Sequence, residues 1–289
     1  MTGKINLVLG SHAHIVPSAP DEEFEELYRT ALRPFITVLH QFPKIPAVLH
    51  YSGSLFTRLE QKKPEFFLLI KDMAARKQLE LLGGGFYEPL LPLLPPADRI
   101  GQIEMLTTYL RQCFGRKPQG CMLAHSGWEQ SLAGVLAACG MAYTFLSEEQ
   151  FAAAGCKGSD LFTPVYTEDQ GKLLVVFPVF SSLARMGTDG AAPVLQKAEI
   201  GTDDAQRGGP ASPAKNPAGP VGCLITVFPA FPRENAEEGI RSFFSDLVSI
   251  QADKTRDISI ELSTPGRIYR SCTSLPKVYF VPSGDASCP

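Results

Sequence analysis

Short apolar runs alternate with longer helical patterns along the first 180 residues of this 289-residue chain, and this alternation constrains its fold more than any other feature. Lys4–Gly10 and Ala47–Tyr51 predict buried strands, and Asp21–His40 between them predicts an amphipathic helix. The same order continues as far as the apolar run Leu173–Phe177. Strands separated by helices pair in parallel, because each helix carries the chain back across the sheet. We therefore predict an α/β fold, a parallel sheet or barrel with outer helices.

The alternation stops between residues 185 and 220, where Gly, Pro and Ala become abundant. A segment of this composition cannot form a core, so it predicts a disordered or mobile insert. Strand and helix patterns resume at Cys223–Phe228. Neither half has enough strands to close a barrel alone, and we predict a single domain over residues 1–289 that carries the insert.

Composition excludes several classes of protein. The net charge of −3 gives no support for nucleic-acid binding, which requires a basic excess. No apolar run approaches the roughly 20 residues that span a bilayer. Seven cysteines without a CxxC pair do not suggest a disulfide framework. We expect a cytoplasmic protein with no cofactor and with neither a nucleic acid nor a membrane as partner.

The motif His12-Ala13-His14 comes directly after the first predicted strand. Residues two apart in an extended segment face the same side, so both imidazoles point together. They do so at the carboxyl end of the sheet, where α/β folds bind ligands. The pair suits sugar hydroxyls or a metal ion, and two ordinary hydrogen-bonded histidines would fit as well.

Two further motifs follow strands. Gly83–Pro89 (GGGFYEP) contains an aromatic pair and Glu88, a combination that suits a carbohydrate. A tight turn whose aromatic residues anchor it in the core would have the same sequence pattern. Glu80 lies inside the preceding strand and needs a buried partner. His125–Glu129 contains the only tryptophan, Trp128, which fits a sugar platform or a core residue.

These motifs carry a resemblance to a known family. The strings SHAHIVP, RPFITVLHQFP, HYSGSL, KQLELLGGGFYEP, ADRIGQIEML and LFTPVYTEDQGKLLVVFP resemble glycoside hydrolase family 57, closest to its 4-α-glucanotransferase and α-amylase branch. The resemblance runs from about residue 4 to about residue 180 and is weaker from Cys223 to Tyr269. It implies an incomplete (β/α)7 barrel. The family usually adds a helical bundle and, in this branch, a β-sandwich, and we expect this chain to end before either.

The resemblance also implies a retaining mechanism, in which a Glu nucleophile and an Asp acid/base lie about 5–5.5 Å apart. The nucleophile position falls on His125, and the acid/base position falls on Ala230 or Phe231. An imidazole cannot reproduce the stabilisation that a carboxylate gives an oxocarbenium-like transition state. No catalytic residue is therefore intact, and we predict an inactive domain. The substrate-binding residues that the resemblance implies are His12, His14, Glu80, Glu88 and Trp128.

The resulting hypothesis is an α-glucan domain, catalytically inactive, that binds glucan weakly or has a regulatory role. Its partners would be α-glucan chains, an active paralogue or a second copy of the chain. One alternative is an active α-amylase or glucanotransferase with relocated carboxylates. The candidates for that role are Glu129, Asp203, Asp204 and Glu234. Another alternative is a metal hydrolase with zinc bound by His12, His14 and His125, since three imidazoles are a sufficient ligand set.

Overall fold

The structure is a computed structural model that describes residues 3–180, 221–227, 236–253, 258–272 and 274–282. Several predictions fall outside these residues: the insert 185–220, the acid/base positions Ala230 and Phe231, and the carboxylates Asp203, Asp204 and Glu234.

Strands in the described residues form a single sheet. They are β1 (Gly3–Ala13), β2 (Ala47–Tyr51), β3 (Leu79–Leu81), β4 (Gly120–Cys121), β5 (Tyr143–Ser147), β6 (Val165–Asp169), β7 (Lys172–Val179), β8 (Val221–Val227) and β9 (Ile258–Ser263). The order is β3-β2-β1-β8-β7-β5-β4, and every neighbouring pair along it is parallel. A parallel bridge between Gly83 and Cys121 joins the two ends of this path. The predicted incomplete (β/α)7 barrel, a parallel sheet with outer helices, is therefore confirmed.

Helices surround the sheet, as the alternation predicts. They are α1 (Asp21–Leu27), α2 (Arg33–His40), α3 (Gly53–Lys62), α4 (Pro64–Ala75), α5 (Pro96–Phe114), α6 (Ser131–Ala138), α7 (Glu148–Ala153), α8 (Ala236–Ala252) and α9 (Pro265–Ser271). A π-helical turn over Tyr28–Leu32 joins α1 to α2, so the predicted helix Asp21–His40 is continuous. None of the described helices is long and apolar enough to cross a membrane.

Alternate residues of the strands face two different cores. Val8, Val48, Tyr143 and Val175 belong to a cluster that fills the barrel interior, to which six strands or strand ends contribute. Their neighbours, such as Leu7, pack outward against the helices. The period of two that separates inward from outward residues also decides which polar side chains point into the barrel.

Two strands depart from the simple parallel pattern. β6 pairs antiparallel with β7, which the sequence does not predict. β9 pairs with Gly3–Val8 of β1, on the side where β2 pairs further along. Because β9 ends at this lower level, α9 lies at the amino end of the barrel, where Gly266 contacts Glu80.

Candidate functional site

His12 and His50 lie side by side at the carboxyl end of the barrel. They are direct partners in the register of β1 and β2, and His12 also pairs with Val227, the last residue of β8. His12 has the same parity as Val8, and His50 the same as Val48, so both imidazoles face the barrel interior. Both are buried, and their ring centroids lie 4.9 Å apart.

Glu88 binds both rings. The Nε2–H of His12 donates to Glu88 Oε1 at 3.0 Å, and the Nε2–H of His50 donates to Glu88 Oε2 at 2.8 Å. His50 also donates through Nδ1–H to the carbonyl oxygen of Leu82 at 3.4 Å. The turn that delivers Glu88 needs Gly84, because a Cβ there would lie 2.4 Å from His50 Cε1.

Burial and charge set the protonation of this trio. Burial opposes a charge on His50, but the Glu88 carboxylate and the backbone of Leu82 and Gly83 together outweigh it and raise the pKa of His50. Burial lowers the pKa of His12 and outweighs its hydrogen bond to Glu88. Burial alone would raise the pKa of Glu88, yet the charge of His50 and the two hydrogen bonds hold that pKa well below its usual range. These shifts favour an ionised Glu88, a positive charge on His50 and a neutral His12.

Two more histidines extend the pair toward solvent. The ring centroid of His14 lies 6.0 Å from that of His12 and 6.1 Å from that of His125. We call His50, His12, His14 and His125 the imidazole row, and the end of the barrel that holds them the carboxyl-end mouth. Four of the five histidines of the chain thus lie in this row.

His125 lies on a strained bend after β4. His125 and Ser126 both have a φ of 49°, in the left-handed region that residues other than glycine rarely adopt. Backbone of this kind costs about 1–3 kcal/mol per residue and is concentrated at functional sites. The bend delivers the His125 ring toward His14.

The donor atoms suited to a metal belong to a different trio from the one predicted. His12, His50 and Glu88 bring one ligand atom each within 4.8 Å of one another. The hydrogen bonds to Glu88 use the Nε2–H groups of both imidazoles, so a metal ion would have to displace these protons.

Glu80 and Trp128 have partners outside the imidazole row. Glu80 accepts hydrogen bonds from the hydroxyl of Tyr143 and, at 3.1 Å, from the backbone N–H of Gly266, in the amino half of the barrel. Trp128 is only 1% exposed and packs edge-on against Phe280, with ring centroids 6.2 Å apart. Of the five predicted substrate-binding residues, the structure brings together His12, His14 and Glu88.

Comparison with known proteins identifies the family. The sequence profile of glycosyl hydrolase family 57 matches residues 7–185. The chain belongs to this family. It is 37% identical over 180 residues to a 4-alpha-glucanotransferase of Thermococcus litoralis, and 38% identical over 183 residues to alpha-amylase 1 of Dictyoglomus thermophilum. These matches cover 62% and 63% of this chain, but only 27% of either relative.

A solved relative has the same fold over nearly all of this family 57 chain. The crystal structure of 4-alpha-glucanotransferase from Thermococcus litoralis aligns with a TM-score of 0.83 and 28% identity. The alignment covers 98% of this chain and 42% of that one. The resemblance seen in the sequence is thereby confirmed.

Glu129 is the one candidate for a relocated carboxylate that lies among the described residues, and its carboxylate binds Arg99 and Ser131. Its Oε1 accepts hydrogen bonds from the Ser131 hydroxyl and from Arg99 Nη1. The Ser131 hydrogen bond and the Arg99 charge both lower the pKa of Glu129. Glu129 is thus the counterion of Arg99 in this family 57 barrel.

Two features of the mouth are absent from the sequence predictions. His50 could have been found by parity, because it follows Val48 by two residues in a buried strand. A cavity of about 450 Å³ opens on the same end of the barrel, lined by Ile15, Ser54, Phe86 and Tyr87 among others. Tyr87 is 46% exposed, so it is an aromatic ring that a ligand can reach.

Proposed function

We propose that this family 57 domain binds α-glucan at the carboxyl-end mouth without hydrolysing it. The observation that carries the proposal is His125, an imidazole at the position where the family resemblance implies the nucleophile. The relatives named 4-alpha-glucanotransferase and alpha-amylase supply the substrate class.

The chemistry of Glu88 supports the loss of hydrolysis. A retaining enzyme needs one carboxylate to attack and one carboxylic acid to donate a proton. Both oxygens of Glu88 accept hydrogen bonds from buried imidazoles, and its lowered pKa keeps it ionised, so it has no proton to donate. An attack by Glu88 would first have to break the ion pair with His50.

The same mouth retains groups that bind sugars. His14 and His125 are partly exposed and can exchange hydrogen bonds with hydroxyls. Tyr87 offers an exposed ring on which the apolar face of a glucose unit can stack. We expect a dissociation constant in the millimolar range, about −4 kcal/mol.

Calorimetric titration with maltoheptaose tests binding. Tyr87→Ala should weaken binding by about fivefold or more, because it removes the stacking surface. Tyr279→Ala is the matched control, since Tyr279 is also exposed, at 57%, and does not line the cavity at the mouth. A folded protein that binds no maltoheptaose at about 10 mM would contradict the glucan proposal.

Product analysis after long incubation with maltoheptaose and amylose tests activity. We expect no hydrolysis and no transfer products. His125→Glu alone should not restore activity, because Ala230 and Phe231 leave the acid/base position without a carboxylate. Clear turnover that Glu129→Gln or Glu234→Gln abolishes would instead support relocated carboxylates.

A further inference from the structure

A second cavity, of about 480 Å³, opens at the opposite end of the barrel from the imidazole row. Its walls come from the turn before β3, the turn before β4 and helix α9. We call it the amino-end cavity. Its size is within the range of about 300–1,000 Å³ that is typical of small-molecule sites.

Cationic side chains dominate the lining of the amino-end cavity. They are Lys77, Arg116, Lys117, Arg267 and Arg270. One carboxylate, Glu80, also lines it, so the lining has an excess of four positive charges. This excess contrasts with the whole chain, whose net charge is −3.

These cations are not neutralised within the described part of the chain. None of the five forms an ion pair with a described residue, and the side-chain contact found is from Arg270 Nη1 to Gln119 Oε1 at 3.4 Å. Clustered cations repel one another, and a cleft focuses their field. Such a group is stabilised when an anion occupies the space between its members.

Lys77 occupies its place at a conformational cost. It follows α4 with a φ of 65°, and the Gln78 N–H bonds to the Met73 carbonyl oxygen at 3.0 Å, which is the helix ending that favours glycine at this position. A non-glycine residue in the left-handed region is less stable than glycine there. The cost is offset if the ammonium group of Lys77 serves a ligand in the cavity.

The remaining lining groups indicate what the anion is attached to. Glu80 and Gln119 present oxygen and amide groups that suit hydroxyls, and Leu79, Leu81 and Phe114 form an apolar wall. Arg and Lys bind phosphate oxygens by charge-assisted hydrogen bonds. We propose that the amino-end cavity binds a phosphorylated sugar, with its phosphate between the cations and its hydroxyls on Glu80 and Gln119.

Calorimetric titration of the full chain with glucose 1-phosphate, inorganic phosphate and glucose tests the proposal. Glucose 1-phosphate should bind with a dissociation constant of about 1 mM or tighter. Inorganic phosphate should bind at least about tenfold more weakly, because it lacks the hydroxyls. Saturating maltoheptaose should leave the binding unchanged, since the proposed glucan site is at the other mouth.

Two substitutions with a matched control identify the site. Lys117→Gln/Arg267→Gln should weaken glucose 1-phosphate binding by about tenfold or more. Arg33→Gln/Lys44→Gln removes the same charge at exposed positions that do not line the cavity, and should change binding by less than about twofold.

Lys77→Gly separates the ligand role from a structural one. It should weaken glucose 1-phosphate binding while the melting temperature stays equal or rises, because glycine relieves the left-handed backbone. Three results would overturn the proposal: no binding at about 10 mM, phosphate binding as tight as sugar phosphate binding, or equal losses in the cavity and control variants.

Discussion

Replacing Trp128 by alanine decides whether the only tryptophan of the chain supports the fold or the ligand. The side chain is 1% exposed and lies in a core cluster with Leu123, Leu132, Phe151 and Phe280. A sugar platform must present a ring face to solvent, and this indole presents none. We therefore expect Trp128→Ala to lower stability and to leave maltoheptaose affinity within about twofold of the wild type.

The magnitude follows from the area that the indole buries. A fully buried tryptophan removes about 200 Å² from water, which at about 25 cal/mol per Å² corresponds to about 5 kcal/mol. Large-to-small core substitutions of this residue cost about 3–5 kcal/mol. We expect a loss of about 4 kcal/mol in the free energy of unfolding, close to the whole stability of many domains.

Trp128→Phe is the companion variant. No described residue accepts a hydrogen bond from Trp128 Nε1, so the indole N–H is buried without a partner. Such a donor costs about 1–3 kcal/mol, and phenylalanine removes it while keeping the edge contact with Phe280. We expect Trp128→Phe to lose no more than about 2 kcal/mol.

Urea unfolding followed by far-ultraviolet circular dichroism measures both variants, since the only tryptophan fluorophore is lost in each. The urea midpoint should fall with the slope unchanged, because the same surface is exposed on unfolding. Calorimetry on the same samples gives the glucan affinity. Unchanged stability in Trp128→Ala together with lost maltoheptaose binding would refute the assignment of Trp128 to the core and would support its role as a sugar platform.

Other residues give equally specific tests. The low pKa of Glu88 in the folded protein provides stability that is present above its unfolded pKa of 4.5 and is lost as pH falls. The raised pKa of His50 provides stability that is present below its unfolded pKa of 6.5 and is lost as pH rises through its pKa in the folded protein. Glu88→Gln should therefore lower stability by about 3 kcal/mol near pH 5.5 and flatten both limbs of the pH profile measured by urea unfolding. Gly84→Ala should lower the melting temperature by several degrees, because its Cβ would lie 2.4 Å from His50 Cε1. Half-buried Gly101, whose added Cβ would meet nothing within 4 Å, should tolerate alanine in the same melting experiment. Gln78→Leu should lower the free energy of unfolding by about 2–3 kcal/mol, because the Gln78 amide donates to the carbonyl oxygens at positions 39, 42 and 45. A urea-unfolding curve indistinguishable from that of the wild type would contradict this.

The sequence predicts much of the barrel because most of its strands and helices have a recognisable local sequence pattern. The apolar run Ala47–Tyr51 locates β2, and helical periodicity over Asp21–His40 locates the continuous helix from α1 to α2. β1 was predicted to end at Gly10, but pairing with β2 and β8 extends it through Ala13 over polar residues. β6 was missed because its polar residues outnumber its apolar ones, and only its pairing with β7 makes it a strand.

The site was predictable where neighbours along the chain determine geometry, and unpredictable where distant residues do. The period of two brings His12 and His14 to one place, as expected. Trp128 fits a platform and a core equally well in sequence, and Phe280, about 150 residues later, decides between them. Glu80 was expected to bind substrate, yet its partners are Tyr143 and Gly266, whose proximity no local pattern reveals.

The closure of the barrel has a consequence for how the molecule moves. Among the described residues, β7 and β8 share the single paired position Val179–Cys223, and the other closure is the bridge Gly83–Cys121. Two narrow seams therefore join one lobe, β3-β2-β1-β8, to the other, β7-β5-β4. His14 belongs to the first lobe and His125 to the second. A sugar chain that binds both would therefore restrict the motion of one lobe relative to the other. When a sugar chain is bound in this way, amide hydrogen exchange should slow at the two seams and stay unchanged in the interior of each lobe.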